Sequence, residues 1–138
     1  MSATTGAETA PTTTTRPRVP ATVRGAQLLL LIPLGAFQLG ATIAFSLVLG
    51  LHGKDYLPAI WAPIMSIACI VTAVRLSTGQ PRQLRIALGL LAAQTAFSLL
   101  KLLVFGESAA LVFLALAAAC AGLLALPVSR RHFGTPSN

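Results

Sequence analysis

Residues 25–51, GAQLLLLIPLGAFQLGATIAFSLVLGL, carry no charged side chain. A helix needs about 20 apolar residues to cross roughly 30 Å of hydrocarbon, and this run is longer. Residues 108–129, SAALVFLALAAACAGLLALPVS, repeat the pattern. Two more apolar blocks lie between them, joined by short polar connections. The chain of 138 residues is 55% hydrophobic and 9% charged, whereas a soluble domain carries about a quarter charged residues. A soluble helix keeps a polar outer face, and these blocks offer none of useful width. The composition therefore predicts an all-α, polytopic membrane protein.

The charges say how such a chain threads. Eight of the ten basic residues fall in three places. Arg16, Arg18 and Arg24 precede the first block; Arg75, Arg82 and Arg85 separate the second from the third; Arg130 and Arg131 follow the fourth. The two remaining connections carry one lysine each, Lys54 and Lys101, beside Asp55 and Glu107. Basic residues favour the cytoplasmic side. The alternation predicts four transmembrane helices in the cell membrane with both termini in the cytoplasm. Connections this short force an antiparallel up-down-up-down bundle.

The expected spans are about 24–50, 57–76, 83–105 and 109–128, within a membrane domain over 23–129. Pro33 is a bend in the first span, because proline lacks one backbone donor. Gly53 and Pro58 read as turn signals in the outer connection, and Tyr56 and Trp61 as headgroup anchors. Gly79 and Pro81 break the chain at the inner turn. Ser108 is a candidate N-cap for the fourth span, and Pro127 marks its inner end. Residues 1–22 are Thr/Ala/Pro-rich with little to bury, which predicts a disordered tail; 130–138 form a short second tail. The arginines before the first block resemble a signal peptide, but the block is about twice the 7–15 residues of such a segment's apolar region.

Chemistry is sparse. All three acidic residues fall outside the apolar blocks, and His52 and His132 sit in a connection and in the closing tail. Proton-coupled carriers generally place an Asp, Glu or His inside the membrane. Four short helices resemble small multidrug resistance transporters in layout. Those depend on a glutamate in the first helix, where this chain has Gln27 and Gln38. Cys69 and Cys120 lie mid-block with no CxxC or His–Cys cluster, so they read as small apolar residues. No GxSxG, HExxH or phosphate-binding loop occurs; neither an enzyme nor a cofactor is expected. The net charge of +7 is dispersed over helix-flanking sites without aromatic interleaving, which suits lipid headgroups and not nucleic acid.

What remains is a polar face. Gln38, Thr42 and Ser46 recur at i, i+4 and i+8 on the first span, and Gln27 is three turns before Gln38 on about the same face. Gln94, Ser98 and Lys101 share a face of the third. Such groups turn away from lipid, either as helix-to-helix hydrogen bonds worth about 0.5–2 kcal/mol each or as a polar pathway or ligand pocket. Lys101 is one turn from the outer end, where its stem can snorkel and Glu107 or Asp55 can pair with it. Ala115/Ala119, Ala118/Gly122 and Ala36/Gly40 are small-xxx-small pairs suited to close packing.

The Ala/Leu-heavy helices, the opening Arg24-Gly25-Ala26 and the closing Pro127-Val128-Ser129-Arg130-Arg131 resemble small four-helix integral membrane proteins of actinobacteria. The likeness covers residues 20–133 and implies location without chemistry. The expected role is an accessory or interaction protein of the cell membrane, in a homo-oligomer or a larger complex. The competing expectation is a small oligomeric transporter or channel using the two polar faces.

Overall fold

The computed structural model describes residues 18–50 and 56–134. The tail up to residue 17, the connection 51–55 with His52, Gly53, Lys54 and Asp55, and residues 135–138 lie outside them. The described residues form α1 (Ala21–Leu31), a π-helical turn (Ile32–Phe37), α2 (Gln38–Leu49), α3 (Tyr56–Leu76), α4 (Pro81–Leu100), a second π turn (Lys101–Phe105), α5 (Ala110–Ala125) and α6 (Pro127–His132). No strand occurs among them. Three stretches are long and apolar enough to cross a membrane: Ala21–Val48, Tyr56–Leu76 and Pro81–Phe105. The fourth, Ala110–Ala125, is apolar but has 16 residues, about 24 Å at 1.5 Å per residue.

Proline explains most departures from the expected boundaries. Pro127 ends the fourth apolar helix earlier than expected: α5 stops at Ala125, Leu126 is extended at ψ 144°, and Pro127 opens α6. A proline suits a first helical position, where its missing N–H would have no partner anyway. Pro81 opens α4 in the same way. Pro58 is not in a turn, since α3 already starts at Tyr56 and carries Pro58 in its first turn. Ser108 does not cap α5 through its side chain; Ala109 is the N-cap residue and Leu111 N–H donates to the Ser108 backbone carbonyl. Pro33 falls inside the first π turn. There the wider i+5 pattern lets later N–H groups reach past the donor that proline lacks.

That π turn is held by a close approach. A Cβ built on Gly35 would lie 2.6 Å from Ile70 Cγ1 and 2.8 Å from the Leu30 carbonyl oxygen. Glycine is required because α3 presses against the turn at this point. Above it the chain changes neighbours. α1 lies against α3, α5 and α6, whereas α2 lies beside α3 alone among the long helices.

One end of the molecule is packed solid. Val23, Ala26, Leu30 and Leu34 meet Cys69, Ala73 and Leu76 of α3, Leu84, Ala87 and Leu91 of α4, Ala117, Cys120 and Leu124 of α5, and Phe133 beyond α6. Phe133 is fully buried, so the closing segment is ordered further than the sequence suggests. The same end closes its helix termini through side chains. Pro127 has no N–H for the Leu123 carbonyl; the Ser129 hydroxyl donates to it instead, at 2.7 Å. With that proton used, Thr22 must donate to Ser129 Oγ, also at 2.7 Å. The last four carbonyls of α3 lack intrahelical donors by geometry. Gln27 Nε2 donates to Ala73 O at 2.8 Å, Ser77 Oγ to Val74 O at 3.1 Å, Thr78 Oγ1 to Arg75 O at 2.7 Å, and Gly79 N to Leu76 O at 3.4 Å. Gly79 has φ +68°, and a Cβ on it would lie 3.0 Å from the His132 carbonyl oxygen. Thr22 meets Ser129 and Gly79 meets His132, so the described segments bearing arginine share this end.

Candidate functional site

The other end is built differently. Above the π turn, α2 diverges from α5, and the space between α2, α3, α4 and α5 holds a cavity of about 300 Å³. All six residues of the two polar faces line it: Gln38, Thr42, Ser46, Gln94, Ser98 and Lys101. They arrive from two directions. Gln38, Thr42 and Ser46 are one turn apart on α2, so a regular helix stacks them on one side. Gln94 and Ser98 do the same on α4, and Lys101 opens the second π turn. Ala62, Phe97 and Phe113 supply apolar wall.

Gln27 does not join them. Its side chain is bound at Ala73, at the packed end. The eleven-residue spacing to Gln38 keeps one face only along a regular helix, and the π turn between them resets the phase.

The polar groups only partly satisfy one another. Gln94 is 2% exposed and Gln38 8%, and Gln94 Nε2 donates to Gln38 Oε1 at 3.3 Å. This is just beyond the usual N–H···O range. Gln94 Oε1 is buried without a partner. Thr42 turns its hydroxyl back to its own helix, donating to Gln38 O at 2.8 Å. Ser98, 3% exposed, and Ser46 contribute hydroxyls from opposite walls. A buried polar atom left unpaired costs about 1–3 kcal/mol, a penalty that a tightly bonded helix interface would remove.

At the mouth, Lys101 Nζ donates to Glu107 Oε2 at 2.8 Å. Gly106 makes the reversal possible at φ +66°, in the left-handed region that caps a helix. Glu107 is therefore the partner of Lys101; Asp55 lies outside the described residues. Lys101 Nζ also stands 5.9 Å from the Phe97 ring centre. Trp61 also packs against Phe97, with ring centres 5.1 Å apart. Its indole N–H is buried without a partner, so the polar edge of Trp61 is turned into the helix packing beside Phe97. Tyr56 remains exposed.

Sequence reasoning found the six cavity residues and offered Glu107 as a partner for Lys101, but it missed Phe97 and its contact with Trp61. The signal was spacing: Phe97 stands one residue before Ser98 and three after Gln94, near the same face. Cys69 and Cys120 are free and buried in the packed end, with Cys120 Sγ 3.7 Å from Ala26 O. Among the described residues no group of three His, Cys, Asp or Glu could hold a metal. Comparison with family models, curated proteins and solved structures returns no match. The site has to be read from its own residues.

Proposed function

We propose that this chain is a four-helix, multi-pass protein of the cell membrane, with both termini in the cytoplasm, that binds a small molecule in an outward-facing intramembrane cavity. It acts as the substrate-binding subunit of a small transporter and not as an enzyme. The observation that carries this reading is the convergence of both polar faces on one cavity while a nearly buried amide, Gln94, keeps an unpartnered oxygen. Interhelical glue alone would have paired all of these groups with each other, whereas only Gln94 and Gln38 are joined across the helices, at 3.3 Å. A pocket of about 300 Å³ stands at the small end of the range for ligand sites. The clustering of arginine segments at the opposite end supports the orientation, since basic residues stay on the cytoplasmic side.

On this reading the Leu30, Leu34 and Leu91 packing closes the core below Gln38 and Gln94, and the cavity is entered from the far end. Such a site alternates by opening the other end or functions within an oligomer. The reading is tested by screening a small-molecule library for thermal stabilisation of the full chain in nanodiscs, against Gln38→Met/Gln94→Met. Compounds that stabilise the parent and not the variant support it. A library in which every stabiliser acts equally on both would refute it.

A second reading, an accessory subunit of a larger membrane complex, has its own observation. Ala92, Ala96 and Ala118 expose small side chains along the α4–α5 groove, beside Gly89 and Gly122 where an added Cβ would meet nothing within 4 Å. Small residues admit a second helix closely. Blue-native electrophoresis with crosslinking mass spectrometry decides it: a stable hetero-complex contacting this groove favours the accessory role, and migration as the isolated chain removes it.

A further inference from the structure

We infer that the cavity takes an uncharged amphiphile whose head carries both a hydrogen-bond donor and an acceptor, such as a hydroxyl or an amide, with an apolar body lying against Phe97 and Phe113. The inference rests on the binding reading above and names the class of ligand for it.

The head is specified by the two glutamines. A primary amide has one carbonyl acceptor and one NH₂ donor group. The single Gln94–Gln38 bond uses the donor side of one and the acceptor side of the other. One carbonyl and one NH₂ are left over, whichever way the two amides are turned. A head that both donates and accepts can bridge them in either orientation. An ammonium only donates and a carboxylate only accepts, so each leaves one amide short.

Charge is disfavoured independently. Moving an ion from water into an apolar site is costly unless an opposite charge meets it. Among the described residues, the charged side chains at the cavity are Lys101 and Glu107, which neutralise each other at 2.8 Å. A cationic or anionic ligand would have to break that pair to find a counter-charge among them. The body is specified by the walls: Phe45, Pro58, Ala62, Phe97 and Phe113 present carbon to the space above the amides. Ser98 and Ser46 extend the polar strip along the head's path and do not change its charge requirement.

Trp61 provides a reporter inside the protein. It is the chain's single tryptophan and contacts Phe97, whose ring lines the cavity. The full chain in nanodiscs is titrated with six eight-carbon probes: 1-octanol, octanamide, octane, octylammonium, octanoate and the zwitterion 2-aminooctanoic acid. Bilayer concentrations are matched by measured partitioning, Trp61 emission is followed, and native mass spectrometry counts bound probe. The inference predicts saturable binding of octanol and octanamide about tenfold tighter than the other four, as loss of one or two bridging hydrogen bonds implies. In Gln38→Met/Gln94→Met the preference should fall to within about twofold while octane still saturates, which also reports that the variant is folded.

Saturable binding in which octane, a charged probe or the zwitterion equals or exceeds octanol would overturn the neutral-head inference and leave the cavity as a binding site. The zwitterion result in particular would point to exchange with the Lys101–Glu107 pair. If none of the six saturates by either readout, the binding reading itself fails, and this inference with it.

Discussion

The two ends of this molecule solve opposite problems with the same kinds of residue. At the arginine end, most polar side chains are consumed by the backbone, although His132 Nε2 is buried without a partner. Gln27 takes the Ala73 carbonyl, Ser129 takes the carbonyl that Pro127 cannot serve, and Thr22 takes Ser129. At the far end a similar set of Gln, Ser and Thr faces a cavity, and Gln94 is left with an unpaired oxygen. The difference is not composition. It follows from where helices end and where they diverge. Terminal carbonyls soak up polar side chains; a mid-helix amide has no such outlet. The π turn around Pro33 and Gly35 separates the two regimes by releasing α2 from α5. Polar residues in a membrane protein are therefore informative only once the free backbone groups near them are counted.

The comparison breaks most sharply where the packed end is hollowed. Phe133→Ala removes a fully buried ring and should cost about 3–5 kcal/mol, read as lost resistance to unfolding in detergent. Val48→Ala, on an 81% exposed side chain of α2, should change stability by no more than about 0.5 kcal/mol. Equal effects would mean that the two ends are packed alike.

Gly35→Ala attacks the divide between the ends. The new methyl meets Ile70 Cγ1 at 2.6 Å and the Leu30 carbonyl at 2.8 Å, so a loss of about 1–3 kcal/mol is expected from overpacking. Ile70→Ala in the same chain should recover part of it. A double-mutant cycle with no coupling would deny the contact.

Ser129→Ala tests the closing of the helix ends. It leaves the Leu123 carbonyl and the Thr22 hydroxyl without a partner and should cost about 1–2 kcal/mol. Ser46→Ala, at the cavity, should be nearly silent in the same assay. The smallest effect belongs to the mouth. Lys101 and Glu107 are 25% and 48% exposed, and such pairs contribute about 0–1 kcal/mol, less at high salt. Reversing both as Lys101→Glu/Glu107→Lys should leave stability within that range, whereas Lys101→Glu alone should fall below it.

Much of this was legible in the chain. Uncharged runs located the long helices, and i, i+4 spacing chose the residues that line the cavity. Where the sequence misled, one missing donor was responsible in several places. Pro33 announces a lost hydrogen bond but does not say whether the helix kinks or widens, and the widening decides that Gln27 and Gln38 point to different ends. Pro127 was readable as a stop, yet nothing local tells that a new helix follows and tucks Phe133 under the core. Trp61 illustrates another limit: its position suits a headgroup anchor, and only the proximity of Phe97 on α4 turns it inward. That proximity is a tertiary contact, and no local pattern encodes it.

The central claim is that the far end is an open, outward-facing site and the arginine end is solid. It is tested most directly by cysteine labelling in whole cells with a membrane-impermeant thiol reagent, in a Cys69→Ala/Cys120→Ala background. Ser46→Cys, half-buried in the cavity wall, should react from outside, and Ala87→Cys, fully buried in the packed end, should not. Reaction at Ser46→Cys that is no faster than at Ala87→Cys would contradict the account.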